Sequence, residues 1–235
     1  MMNRHDTSPL TAEEQHPHRG EWLRDIVFGL NDGLVTTLVF IMVVNGVAAG
    51  RVVLVALGEV IAGGLSMALG AYLSAETASD IRDYRIAMER HEIRNEPDEE
   101  RAELRDLYRR KGFRGGMLDG IVDHLTADEE RWLQAMMRDE HGMVEENHRH
   151  PITDGLLVGL AFVAGGIIPV LPYLLPVPYH PVWSYVLTAL TALVFGALKS
   201  RYTLRSPQRS ALQFLIVVTI GTVVGAGLGL ALHAV

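Results

Sequence analysis

Residues 52–73 read VVLVALGEVIAGGLSMALGAYL, an apolar run with a single ionisable side chain, Glu59. An α-helix rises about 1.5 Å per residue, so a run of this length crosses the roughly 30 Å hydrocarbon core of a bilayer. Residues 26–47, IVFGLNDGLVTTLVFIMVVNGV, have the same character and again carry one acid, Asp32. Three further runs, 152–175, 182–198 and 211–235, bring the set to five. Five such helices with so few charges have no polar face to turn to water, which excludes a single soluble core. The expected fold is all-α, an integral membrane protein with five transmembrane helices.

Basic residues set the expected orientation, because short cytoplasmic loops are enriched in Lys and Arg. Lys199, Arg201, Arg205 and Arg209 crowd the connection between spans four and five, whereas residues 172–181, between spans three and four, hold no Lys, Arg or acid. Spans four and five therefore meet in the cytoplasm. Counting back places the long segment between spans two and three there as well, together with the N-terminus and its Arg19 and Arg24. Arg51, in the tight outer turn, is the one exception. Residues 1–20 are polar, with no apolar stretch of the kind a cleaved signal needs, and are expected to form a disordered tail. The histidines of that tail, His5, His16 and His18, read as incidental. Zero cysteines exclude disulfides and thiolate metal sites. Any metal must take oxygen, imidazole or thioether ligands.

The expected domains are the tail, spans one and two (21–75), an acidic cytoplasmic insertion (76–150) and spans three to five (151–235). The insertion holds 20 of the chain's 28 Asp and Glu against 13 Lys and Arg. It reads as three or four helices broken at Glu96-Pro97, at Gly112 and Gly115-Gly116, and near 125–128. Thr126, with Glu129 three residues on, is the expected cap of the last helix. No Pro or Gly interrupts 71–93, so span two is expected to run on into the insertion as one long helix.

Within the insertion Glu89 and Glu92 are three residues apart, as are Glu100 and Glu103, which puts each pair on one helical face. Facing helices that present carboxylates in this way build the metal sites of helical bundles. Met136, Met137 and Glu140 form a third group, for which core packing is the simpler reading of the two methionines. In span two Glu59, Gly63, Ser66 and Gly70 share one line along the helix, small residues that let a neighbour approach the acid. Met67 stands about two turns on, and a carboxylate with a thioether suits ferrous iron better than magnesium or calcium. Around Asp32, Gly29 and Gly33 are expected to allow a local departure from regular helix. An ionised carboxylate in hydrocarbon costs on the order of 2.5 to 3.5 kcal/mol, so both membrane acids are expected to face a cavity, a partner or a transported ion.

Three stretches together resemble the vacuolar iron transporter family: Asn31-Asp32-Gly33-Leu34, Gly58-Glu59 with residues 63–74 (GGLSMALGAYLS), and the acidic insertion with Met136-Met137-Arg138-Asp139-Glu140 near its end. The resemblance covers about residues 20 to 235. It implies a homodimer of five-span subunits that exchanges ferrous iron for protons along a path lined by spans one and two. On that footing Asp32 and Met67 are ligands in the path and Glu59 an acid beside it. Glu89, Glu92, Glu100, Glu103, Met136, Met137 and Glu140 then bind metal in the cytoplasm. Asp139 and His141, beside Glu140, are candidates to replace or supplement a ligand, and His91 sits inside the first carboxylate pair.

Protonating a carboxylate releases its cation, so one acid can couple opposed fluxes. No Gly-x-x-x-x-Gly-Lys loop is present to power a pump. The chain is therefore expected to be no enzyme and to carry no prosthetic group, with Fe2+ as substrate and Mn2+, Zn2+ or Co2+ as other cargo. Its expected partners are the bilayer, a second copy, divalent metal ions and protons, and no nucleic acid. Two lysines against nineteen arginines point to a GC-rich bacterial genome. In a bacterium such a protein would sit in the plasma membrane, in a eukaryote in the vacuolar membrane. The rival readings are a manganese transporter of the same architecture and a membrane-anchored ferritin-like sensor or oxidase. A di-iron bundle wants two Glu-x-x-His motifs, and the insertion offers one, Glu145 with His148.

Overall fold

The computed structural model of the chain describes residues 18–143, 150–202 and 206–233. Most of the expected tail, including His5 and His16, lies outside them, as do Glu145 and His148. Eight α-helices are described and no strand: α1 His18–Ala48, α2 Val52–Asn95, α3 Pro97–Arg110, α4 Gly115–Thr126, α5 Glu129–Asp139, α6 Pro151–Val170, α7 His180–Lys199 and α8 Pro207–His233. Five of them, α1, α2, α6, α7 and α8, are long and apolar enough to cross a membrane. The protein is an all-α integral membrane protein. Helix α1 already includes His18 to Gly20, which the sequence reading puts in the tail, because polar residues can continue a spanning helix beyond the hydrocarbon without losing its backbone hydrogen bonds.

The helices divide into two compact units. One takes in the described residues of Met1–Leu73 and Pro151–Val235, the other those of Ser74–His150. In the first, α1 packs against α6, α7 and α8. Its seam with α6 is closed on backbone rather than on side chains. A methyl group on Gly29 would overlap the Val158 carbonyl, one on Gly33 the Phe162 carbonyl, and one on Gly165 the Leu30 carbonyl. Membrane helices lack a hydrophobic force to join them, and such close approach maximises van der Waals contact. Gly29 and Gly33 therefore serve packing inside an unbroken α1. The local departure from helix expected at Asp32 does not occur, since a helical glycine with a neighbouring backbone against it has no room to unwind.

Helix α2 packs against α6 in the same way: a side chain on Gly155 would meet the Ala68 carbonyl and Tyr72, and one on Gly159 would meet Gly64 and Ala68. The line proposed for α2 divides here. Gly63 faces Phe162, whereas Gly70 has open space beside it and Ser66 is exposed. Large apolar side chains left exposed, among them Leu54, Ile61, Leu65 and Leu69 on α2 and Ile216, Ile220 and Val223 on α8, belong in hydrocarbon or against another membrane helix. Replacing Gly33 by alanine should force α1 off α6, at a stability loss of about 1 to 3 kcal/mol. A Gly33→Ala protein in detergent whose melting temperature equals the native one would show that the seam can yield.

The second unit has its own apolar core, built from Ile93 of α2, Leu104 and Tyr108 of α3, Leu118 and Val122 of α4, and Trp132, Leu133, Met136 and Met137 of α5. Its breaks follow local chemistry. Pro97 opens α3, where its missing N–H is not needed. Gly112 and Gly115 turn the chain into α4 with φ of 104° and 56°, values that side chains resist. Helix α5 is capped by Asp128, whose carboxylate accepts from the Arg131 amide at 2.9 Å. That corrects the expected cap at Thr126, whose hydroxyl instead donates back to the Val122 carbonyl inside α4. Both residues carry a capping side chain, and the one next to the first helical residue takes the role.

Candidate metal centre

In the second unit charge is sorted. Arg94 of α2 pairs with Glu129 at 2.7 Å and Arg90 with Glu130 at 2.9 Å, tying α2 to α5. Arg101 holds Asp123 and Arg105 holds Asp119, tying α3 to α4. Among the described residues none of Glu89, Glu92, Glu100, Glu103 or Glu140 forms an ion pair with Lys or Arg. These are the carboxylates singled out from the sequence, and the fold brings four of them together. Ligand atoms of Glu89, Glu140 and His141 lie within 4.8 Å of one another, and so do those of Glu100, Glu103 and Glu140. Glu140 joins the two groups. Glu92 is near enough for its charge to act on Glu89, Glu100 and Glu140.

Local structure explains the convergence. Glu89 is on the last turns of α2, Glu100 and Glu103 are on the first turns of α3 just past the Pro97 break, and Glu140 ends α5 with its amide donating to the Met136 carbonyl. Gly142, at φ 65°, turns the chain directly after His141. Two of the acids are inside the protein: Glu89 is 1% exposed and Glu100 is 7% exposed. Glu89 Oε2 faces His141 Nε2 at 3.0 Å. Glu89 Oε1 and Glu100 Oε2 are buried with no hydrogen-bond donor among the described residues. Glu89 and Glu100 are close enough to share a hydrogen bond, and two carboxylates in such contact need a proton or a cation between them.

Burial, with the surrounding carboxylates, pushes Glu100 up to about 8 and Glu89 up to about 7. Burial also raises Glu140, against the opposing pull of His141. Asp139 behaves in the opposite way. Burial alone would raise it, yet hydrogen bonds from Arg138, Lys111 and Tyr108 hold it down at about 2. With Lys111 Nζ at 2.6 Å and Arg138 Nε at 3.1 Å, Asp139 is neutralised and clamps the end of α5 rather than joining the ligands. Met136 and Met137 pack into the apolar core. His91 is engaged with Asn95 through its ring and its carbonyl.

In the membrane unit Glu59 of α2 and Asp32 of α1 are close enough for their charges to repel. Thr37 Oγ1, completely buried, donates to Glu59 Oε2 at 2.7 Å across the α1–α2 contact. Thr36 Oγ1 donates to Asp32 Oδ1 at 3.4 Å. Glu59 Oε1 stays turned toward Gly63. Met67, half-buried, stands eight residues farther along α2, about 12 Å from Glu59. The sequence gives no sign of Thr37, because its partner is 22 positions away on another helix and threonines are ordinary in membrane spans.

The profile of the VIT family matches residues 23–230. The chain is 32% identical to vacuolar iron transporter 1 of Eucalyptus grandis over 226 residues, 94% of this chain and 91% of that protein. It is 31% identical to vacuolar iron transporter 1 of Oryza sativa subsp. japonica over 236 residues, covering 97% and 94%. A more distant relative, vacuolar iron transporter of Plasmodium berghei, is 26% identical over 86% of this chain and 79% of its own length.

Proposed function

Because the chain belongs to the VIT family, we propose that it moves ferrous iron out of the cytosol in exchange for protons, with the 74–150 unit as a cytoplasmic collector of the ion. Its relatives are named as transporters and no enzyme chemistry is needed. The observation that best supports this reading is the set of carboxylates with no Lys or Arg partner, Glu89, Glu100, Glu103 and Glu140, of which Glu89 and Glu100 are buried, beside the paired acids Asp119, Asp123, Glu129 and Glu130. A buried unpaired carboxylate is expensive, and a divalent cation with its proton competitor gives it a use.

In this mechanism Glu89 and Glu100 give up their shared proton when iron arrives, and Glu103 and Glu140 supply further oxygens. Along the membrane, Asp32 and Glu59 take the ion next. Thr37 fixes one oxygen of Glu59 and leaves Oε1 for the cation or for a proton. Met67 is a later station on the same helix, where a thioether holds ferrous iron briefly and rejects magnesium. Protonation from the far side releases the metal. The two copies of a homodimer would enclose this path, and the basic residues between α7 and α8 favour a cytoplasmic collector. The membrane is a vacuolar one in a eukaryote and the plasma membrane in a bacterium.

Ferrous iron uptake into proteoliposomes holding a pH dye tests this, with Mn2+ in parallel. Iron entry with proton movement the other way is expected. Manganese flux with no iron flux would put manganese in its place. Binding without flux under any gradient would leave a sensor or an oxidase.

A further inference from the structure

We propose that His141 is a direct nitrogen ligand of the carboxylate centre and biases it toward transition ions over magnesium and calcium. This rests on the collector reading above and adds a residue to it. Four oxygens alone form a hard site that Mg2+ and Ca2+ can fill, and Mg2+ is abundant in cells. Imidazole changes the preference, because it suits iron, zinc and nickel and has little affinity for magnesium.

Three observations converge on His141. Its Nε2 points at Glu89 Oε2, 3.0 Å away, within the group whose ligand atoms all lie within 4.8 Å. Glu89 is 1% exposed, and its other oxygen is buried with no hydrogen-bond donor among the described residues, so this carboxylate lacks a full set of partners. The backbone supports the placement as well: the His141 amide bonds to the Met136 carbonyl, and the left-handed Gly142 turns the chain away just after it. Asp139, two residues earlier, is clamped by Lys111 and Arg138, so the end of α5 is anchored and His141 is held where it stands. When a cation enters, it takes the place of the proton between Nε2 and the Glu89 carboxylate.

The test uses the full chain in detergent with His5, His16 and His18 replaced by Gln, so that the tail cannot contribute nitrogen. Loaded with Mn2+, this protein should show 14N coupling in pulsed EPR, a reading that needs no substitution at the site. The coupling should vanish in His141→Gln, which keeps a hydrogen-bond donor but no ligating ring nitrogen, and persist in His91→Gln. The preference for Zn2+ over Mg2+ should fall about tenfold or more in His141→Gln, given that even partners of ligands are worth 10 to 100-fold. Bound Mn2+ without 14N coupling, or coupling that survives His141→Gln, overturns the assignment while the oxygen site stands. Mn2+ binding that is indifferent to Glu89→Gln with Glu100→Gln overturns the collector reading and the histidine with it.

Discussion

Asp32→Ala and Glu59→Gln should each lower metal flux in proteoliposomes to about a hundredth of the native rate or less, while binding by the 74–150 unit stays intact. The magnitude follows from losing a charge-assisted contact worth about 3 kcal/mol, which corresponds to about a hundredfold. Glu59→Gln is the sharper variant, since glutamine keeps the shape and still accepts from Thr37 but can neither hold a proton nor balance a cation. Thr37→Val separates charge from placement: the acid remains while its anchor at 2.7 Å is lost, so a loss smaller than that of Glu59→Gln is expected. Native flux in Glu59→Gln would remove Glu59 from the path.

The second large effect is on the stability of the 74–150 unit. Glu89 and Glu100 have pKa values of about 7 and about 8 in the folded protein, above the ordinary 4.5. A group raised on folding stabilises the fold below its unfolded value, and that contribution is lost as pH rises through the folded value. The metal-free unit should therefore weaken as pH rises between about 4.5 and 8. Asp139, at about 2, adds no slope in that window. A divalent ion at 100 times its dissociation constant restores about 2.7 kcal/mol. Hydrogen exchange on the full chain, followed at amides of 97–139 and corrected for intrinsic rate, should show less protection at pH 8 than at pH 6, with Mn2+ reversing the difference. Protection that rises with pH without metal would mean that the carboxylates are satisfied by other groups.

Much of this architecture is legible in the sequence because single residues decide it. The unbroken α2 follows from the lack of Pro and Gly over 71–93, and the α2–α3 break from Pro97. The Glu89 and Glu100 pairs are visible by spacing. Their meeting with Glu140 is not, since it depends on how α5 packs on a core shared by three other helices. The glycines beside Asp32 misled for a physical reason: glycine permits both an unwound helix and a close neighbour, and only the neighbour's position distinguishes them. Thr126 and Asp128 posed the same kind of ambiguity at the α5 cap. Thr37 joins the site across helices, by a contact that no local pattern encodes.

The backbone seam of α1 on α6 also bears on how this chain can drift. At Gly29, Gly33 and Gly165 even one added carbon overlaps a carbonyl, so a library of all substitutions there should return almost only glycine. Ile216, Ile220 and Val223, exposed on α8, should exchange freely among aliphatic residues. Variation in descendants of this gene would then collect on the outer surfaces of the bundle and leave the seam nearly unchanged.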